Sequence, residues 1–384
     1  MIKNTFGDDV AFINKYADVI ILSAASGEGH VGISTTLQGR VMTSTTGCMD
    51  GLSFGWVNRD LIASGKISEH INAYGGEDRF WIGPEGGQFA IFFKNGAPFD
   101  IQNWFTPSEI DAEPFELVSH SAHSAVFRKN MQLENYSKTV FNLRVDREIG
   151  ILEKERAANE LGIKPAETVK MVAFESVNRM TNTGPKIWEK ESGLLSIWIL
   201  GMFNSSESTT IVIPINPGPE SEFGPVVNDA YFGKIPADRL VAGDGILFFK
   251  GDGRCRGKVG VSARRVRPVF GSFSDENGAL TIIQFNKPAG AQEYVNSMWQ
   301  IQKEPYKGDV VNTYNNGPVE SGPGPIGSFY ELETSSPAAA LKPNETITHI
   351  HRTFHFQGPQ TDLDRIAKAK LGVTIAEIES VFAK

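Results

Sequence analysis

Two glutamates and three histidines lie close together near the C-terminal end of the sequence. Glu331 and Glu333 alternate in one predicted strand, and His349, His351 and His355 alternate in the next. Alternate side chains of a strand point to the same face of its sheet. If the two strands pair as an antiparallel hairpin, carboxylates and imidazoles can reach one ligand. That arrangement is what paired general acid and base catalysis requires.

Three other interpretations of the same residues stay open. The histidines can pack and hydrogen-bond inside a β-sandwich, or a glutamate can pair with Arg352 across the strands. The third alternative is a metal site, because a His-x-His strand such as His349 and His351 places two imidazoles on one side. His355 or a glutamate would then complete the ligand set.

A glycine-rich segment at residues 75–88 contains a second group of functional side chains. Arg79, Trp81 and Glu85 offer a forked donor, a flat apolar ring and an acceptor. These groups suit a sugar, whose hydroxyls form hydrogen bonds and whose apolar face stacks on an indole. The alternative is that Trp81 is a core residue.

Six basic residues without an intervening acid form a third group, which extends from Arg254 to Arg267. Such a stripe can face an anionic ligand such as a uronate or a sulfated sugar. A solvated pair of strands is the alternative. Nucleic acid is disfavoured, because no aromatic side chain is interleaved before Phe270.

Two short motif matches lack the context that their chemistry needs. Residues 27–32 fit G-x-G-x-x-G, but the β-prone run at residues 33–41 follows where a dinucleotide site requires a helix. Residues 51–55 fit G-x-S-x-G around Ser53, but a loop precedes them instead of an apolar strand. We therefore expect a hairpin turn at the first match and no serine nucleophile at the second.

Composition limits the class of protein. The 384 residues include 37 Lys and Arg against 45 Asp and Glu, which gives a net charge of −8, and 40% are hydrophobic. That balance indicates a folded chain and disfavours duplex DNA as a partner. Two cysteines, Cys48 and Cys255, are too few for a disulfide scaffold. The absence of a membrane span and of an export signal predicts a soluble cytoplasmic protein, or a periplasmic one if a signal was trimmed.

The elements that must position these residues are mainly strands. Short runs rich in β-branched and aromatic residues, bounded by Gly, Pro, Asn or Ser, continue from Val19 to Phe356. They include a run at residues 88–93. Helices are predicted at residues 8–16, 151–161 and 288–302 and in a tail from about residue 361 to 384, where Thr374 begins a capping box. The Gly- and Pro-rich composition of residues 317–327 predicts a loop at the rim of the fold. No linker divides the chain, so we expect one domain over residues 1–384.

Four segments together resemble an uncharacterised bacterial family that is similar to the galactose mutarotase-like superfamily. They are residues 38–45, 79–87, 175–184 and 331–353. The resemblance implies a mainly β fold, a large antiparallel β-supersandwich with a few short helices.

The resemblance also implies roles for residues. In aldose 1-epimerases a late-strand glutamate removes the anomeric proton and a histidine protonates the ring oxygen, and Glu333 matches that glutamate better than Glu331. The family's mid-chain histidine is missing at residues 188–193, so His351 or His349 would be the acid. The substrate-binding residues would be Arg40, Arg79, Trp81, Glu85 and Arg352.

The function expected from these observations is carbohydrate binding in the concave face of the sheet, with sugar mutarotase or epimerase chemistry at the anomeric centre. The alternatives are a non-catalytic glycan-binding protein of a polysaccharide-utilisation system and a polysaccharide lyase or hydrolase on the same fold. The partner would be a mono- or oligosaccharide, with anionic sugars included, and neither nucleic acid nor membrane is expected. No cofactor is required unless His349 and His351 bind a metal.

Overall fold

The computed structural model describes residues 4–318 and 326–383, and these are mainly antiparallel β-structure. The strands are β1 (Val19–Ser23), β2 (His30–Ser34), β3 (Arg40–Thr45), β4 (Arg79–Gly83), β5 (Glu116–His120), β6 (Ser124–Glu134), β7 (Val140–Ile151), β8 (Lys170–Asn182), β9 (Ser196–Asn204), β10 (Thr209–Pro214), β11 (Leu240–Gly243), β12 (Ile246–Lys250), β13 (Gly257–Ser262), β14 (Val269–Ser274), β15 (Ala279–Phe285), β16 (Asp309–Asn315), β17 (Phe329–Ser335) and β18 (Thr346–Gln357). The helices are α1 (Phe6–Ile13), α2 (Arg59–Ser64), α3 (Ser108–Asp111), α4 (Lys154–Leu161), α5 (Glu220–Phe223), α6 (Gln360–Leu371) and α7 (Ile375–Ser380).

The strands form three sheets. A ten-stranded sheet has the order β11-β12-β10-β14-β15-β18-β8-β7-β6-β5, and a five-stranded sheet has the order β13-β16-β17-β9-β4. The strands β1, β2 and β3 form a small third sheet. All strand pairs within these sheets are antiparallel.

Period-two burial explains why these segments are strands. In β7, every second residue from Phe141 to Ile151 is buried while the residues between them are only partly covered. In β18 the alternation separates Phe354 and Phe356 from His349, His351 and His355. Each strand therefore presents one set of side chains to each face of its sheet.

The ten-stranded sheet is covered on both faces. Its inner face packs against the five-stranded sheet, where Phe203, Tyr330 and Leu332 join a cluster with Phe270 and Ile283. Its outer face packs against apolar residues of α4, α6 and α7, which contact Leu280, Ile282, Phe354 and Phe356. The result is a two-layer β-sandwich with helices outside one layer.

Several sequence predictions are confirmed. The mainly β fold and the helical tail are present, and Thr374 and Glu377 form the predicted capping box at the start of α7. The glycine motif at residues 27–32 lies at the turn of the β1–β2 hairpin. Ser53 is buried and hydrogen-bonded to Asp9 and Thr43.

Other local predictions are wrong. Residues 288–302 contain no helix and residues 88–93 contain no strand, because turns and bends occupy both segments. Both segments pack aromatic side chains against the core, including Phe92 and Trp299. The hydrophobic side chains from which we predicted a helix and a strand therefore pack loops against the core. Residues 319–325 of the predicted rim loop lie outside the described residues. Within the described residues, none of the helices has the length and apolar character needed to cross a membrane.

Candidate functional site

One face of the five-stranded sheet gathers charged and aromatic side chains from every strand. The register places Lys258 opposite Tyr314, Tyr314 opposite Glu331, Glu331 opposite Met202, and Arg79 opposite Leu200. These neighbours line a cavity of about 230 Å³ together with loop residues. This face points away from the ten-stranded sheet, and loops that carry Trp104, Phe232 and Trp299 close over it.

A glycine turn sets the position of Arg79 at the start of β4. Gly75 and Gly76 both have positive φ, 96° and 105°, in the region that favours glycine. The Arg79 guanidinium then lies 3.3 Å from Oε1 of Glu331 and 4.3 Å from the centre of the Trp81 ring. The predicted donor fork and aromatic ring thus meet at the cavity wall.

Glu333 lies on the same face of β17 as Glu331, but beneath other side chains. It is 0% exposed, whereas Glu331 is 7% exposed and lines the cavity. Oε2 of Glu333 accepts hydrogen bonds from Nζ of Lys258 at 3.0 Å and from the indole of Trp198 at 2.9 Å. Glu333 therefore anchors two residues of the cavity wall and does not itself line the cavity.

Burial and neighbouring charges change the acid–base properties of the wall. Burial, with the nearby charge of Glu333, raises the pKa of Glu331 to about 7, although Arg79 and Lys258 oppose the shift. Burial also raises the pKa of Glu85, although the charge of Lys258 opposes the shift. Burial alone would lower the pKa of Lys258, but Glu333, Glu85 and Glu331 together raise it. Two wall carboxyls can therefore carry protons at higher pH than ordinary carboxyls.

Aromatic side chains form much of the remaining wall. Trp81, Trp104, Trp198 and Trp299 all line the cavity. Trp81 and Trp198 meet edge to face at 5.5 Å, and Trp104 stacks against Trp299 at 5.8 Å. Flat apolar rings beside charged donors and acceptors suit a ligand with both hydroxyls and an apolar face.

The structure does not bring the predicted histidines to this cavity. The prediction that β17 and β18 pair as a hairpin is wrong, because β17 pairs with β16 and β9 while β18 pairs with β15 and β8. Residues 336–345 carry the chain from one sheet to the other. His349 and His351 lie between the sheets, 2.8 and 2.9 Å from Oγ1 of Thr334, on the opposite face of β17 from Glu331.

The third histidine of that strand is also buried between the sheets. The Nε2 atom of His355 lies 2.9 Å from Glu77, and Nδ1 lies 2.9 Å from Thr281. Among residues 4–318 and 326–383, no group of three or more His, Cys, Asp or Glu side chains is arranged to hold a metal ion.

Two predicted substrate-binding arginines lie outside the cavity wall. Arg40 is buried and donates to the carbonyl of Gly75 at 3.0 Å, so it supports the turn that precedes Arg79. Arg352 lies on the outer face of β18, where it pairs with Glu175 at 3.0 Å and with Glu160 at 3.2 Å. The alternative pairing of Arg352 with Glu331 or Glu333 is therefore wrong.

The residues of the basic stripe lie in different parts of the structure. Arg256 and Lys258 line the cavity, but Arg254 is exposed and pairs with Glu207. Arg265 is buried and donates to backbone carbonyls of the loop before β11, including Gly218 at 2.9 Å. Strand alternation alone does not separate Arg256 and Lys258 from Arg254 and Arg264, which stand an even number of residues away.

Sequence reasoning did not select Trp198, Tyr314 or Trp104 as site residues. Trp198 stood inside a correctly predicted strand, but its neighbour across the sheet could not be known. Trp104 lies in a loop after a short 3₁₀ helix at Ile101–Asn103, where no periodicity indicates its direction. Only the pairing of distant strands shows that these residues share a cavity.

Solved structures share the fold of this chain. The Slr1438 protein from Synechocystis sp. PCC 6803 has a TM-score of 0.52 and 11% identity, with 90% of this chain and 98% of that chain covered. A candidate aldose 1-epimerase from Escherichia coli K12 has a TM-score of 0.50 and 11% identity, with coverages of 89% and 99%. A galactose mutarotase-like protein from Lactobacillus casei ATCC 334 has a TM-score of 0.48 and 10% identity, with coverages of 88% and 100%. The fold is galactose mutarotase-like.

The sequence itself matches one family model. Residues 4–382 match the family of unknown function DUF6786, so the chain belongs to that family. No curated protein matches the sequence.

Proposed function

We propose that the protein binds a sugar in the cavity of the five-stranded sheet and interconverts its anomers by proton transfer. The observation that carries the proposal is the meeting of Glu331, Glu85 and Arg79 with tryptophan rings in one cavity wall. A cavity of about 230 Å³ accommodates a single sugar ring or the reducing end of a longer sugar. Support at the level of fold comes from the likeness to the candidate aldose 1-epimerase of Escherichia coli K12.

The proposed reaction needs one base and one acid. Glu331 as carboxylate accepts the proton of the anomeric hydroxyl while Glu85 as carboxylic acid donates a proton to the ring oxygen. The bond between the anomeric carbon and the ring oxygen breaks as the carbonyl forms. After rotation of the aldehyde the two proton transfers reverse, the ring closes as the other anomer, and both carboxyls return to their starting states.

This assignment moves the base from Glu333 to Glu331 and the acid from the histidines to Glu85. Glu331 and Glu85 line the cavity, whereas Glu333 lies beneath Lys258 and Trp198 and the histidines lie behind β17. A raised pKa suits Glu85 to its role, because an acid must hold its proton until the ring opens.

Replacing Glu331 with Gln should abolish anomer exchange and leave sugar binding measurable, since Gln keeps the shape but cannot accept the proton. Exchange spectroscopy by proton NMR on a panel of aldoses measures the rate, and titration on the same samples measures binding. Glu304→Gln is the matched control, because Glu304 is exposed and pairs with the exposed Lys307. Equal exchange rates for wild type and Glu331→Gln would disprove the catalytic role.

Sugar binding without turnover is the second candidate function. It is favoured by the cavity lining, which contains no histidine among the described residues. Under this alternative, the same NMR experiment would show saturable sugar binding with exchange no faster than in buffer.

A further inference from the structure

Several buried donors at one end of the cavity have no acceptor. Within the part of the chain that the structure describes, Nε and NH1 of Arg79 and the indole nitrogens of Trp81 and Trp104 lack hydrogen-bond partners. Arg79 is only 2% exposed, and all three residues line the cavity. Leaving a buried donor unpaired costs about 1–3 kcal/mol, more for a charged group. This end of the site is therefore built to meet acceptor atoms.

Positive side chains surround the same space. Arg256 lies exposed at the mouth, 4.0 Å from the centre of the Phe232 ring, and Lys258 lies deeper beside Trp198. The wall carboxyls, Glu331 and Glu85, offset these charges only when both are ionised. Burial raises the pKa of both carboxyls, that of Glu331 to about 7, so the wall gains positive charge as the pH falls through that value.

The unpaired donors indicate which kind of ligand group would accept their hydrogen bonds. A sugar hydroxyl both donates and accepts, whereas a carboxylate or phosphate only accepts and matches the guanidinium fork through two parallel hydrogen bonds. We propose that the sugar bound in this cavity carries an anionic group, a carboxylate or a phosphate, which the Arg79 end of the cavity holds. The inference rests on the proposed sugar-binding function and names its substrate class.

The two sources of the anionic group are separated by the choice of ligands. Calorimetric titration compares glucuronate and galacturonate, then glucose 6-phosphate and galactose 6-phosphate, each against its neutral parent sugar. We expect an acidic sugar of one kind to bind about tenfold or more tightly than its parent. The preference should grow as the pH is lowered through the pKa of Glu331, because protonation removes a negative charge from the wall.

Arg79→Gln should abolish the preference for the anionic sugar over its neutral parent, because the guanidinium that holds the anionic group is lost. Because Arg79 is buried, thermal melting checks that the variant folds, and Arg256→Gln provides an exposed second variant that should reduce the preference. Arg254→Gln is the matched control, since Arg254 comes from the same basic stripe but pairs with Glu207 outside the cavity.

Two results would overturn the inference. One is equal affinity for acidic and neutral sugars in the wild type; the other is an unchanged preference in folded Arg79→Gln and in Arg256→Gln. Neutral sugars that bind and exchange anomers without an acidic preference would leave the proposed function intact. If no sugar binds at all, both proposals fail.

Discussion

Two glutamates separated by one residue have different environments in this protein. Glu331 reaches the cavity and contacts Arg79, whereas Glu333 is sealed beneath Lys258 and Trp198. Both side chains lie on the same face of β17. The difference therefore arises from the neighbouring side chains that cover each carboxylate. Of the two carboxylates, Glu331 is therefore the one that a molecule in the cavity can meet, whereas Glu333 holds Lys258 and Trp198 in place.

The buried Lys258–Glu333 pair should contribute to stability only as a pair. Glu333→Gln alone removes the carboxylate that directly contacts the buried ammonium of Lys258, and we expect a loss of about 3–5 kcal/mol in the free energy of unfolding. The double variant with Lys258→Met should lose clearly less than the sum of the two single variants. Urea denaturation measures all three free energies.

The exposed pair of Lys307 and Glu304 serves as the control, because surface ion pairs contribute about 0–1 kcal/mol. Strict additivity of Glu333→Gln and Lys258→Met would show that the two side chains do not stabilise each other.

At the level of elements, the alternation of side chains along a strand was predictable from the sequence, whereas the pairing of strands into sheets was not. The sequence correctly places Glu331 with Glu333 on one face, because the period of a strand is local. The neighbours of β17 are instead β16 and β9, whose residues precede it by about 20 and 130 positions. The short separation between β17 and β18 suggested a hairpin, but the connecting segment passes between sheets.

The two histidines of β18 that contact Thr334 should make stability sensitive to acid. Burial lowers the pKa of His349 to about 3 and that of His351 to about 4, from about 6.5 in an unfolded chain. Both are neutral in the folded state, so their contribution is complete above about pH 6.5 and is lost as the pH falls, down to about 4 for His351 and about 3 for His349. Each contributes a slope of about 1.4 kcal/mol per pH unit in that range.

Chemical denaturation of wild type and His349→Gln at a series of pH values tests this expectation. The variant should lose stability less steeply on acidification, while His123→Gln, which removes an exposed histidine, should follow the wild type. Parallel curves for wild type and His349→Gln would show that His349 does not titrate on unfolding.

At the level of the whole molecule, composition and pattern predicted the fold class and the helical tail, but not how the layers close. The tail is amphipathic in sequence, and its apolar residues cover one face of the ten-stranded sheet. The cavity depends on loops such as residues 288–302, which supply Trp299 to its wall and which the sequence predicted as a helix. Loop conformation follows from packing against distant strands, so no local pattern predicts it.

The tail should be needed for the stability of the sandwich. Ile366 of α6 is buried against the outer face of the sheet, and Ile366→Ala should reduce the free energy of unfolding by about 2–5 kcal/mol. Urea denaturation measures the loss, and the exposed Arg365→Ala on the same helix is the control. A loss below about 1 kcal/mol would indicate that the helix is dispensable for the sheet.

Four of the six tryptophans, Trp81, Trp104, Trp198 and Trp299, line one cavity. Most of the tryptophan fluorophores therefore share one environment, and their emission would change together when a ligand enters the cavity. The emission spectrum of the native protein thus reports on the cavity rather than on the molecule at large. Ligand screening then needs neither a label nor an assay for turnover.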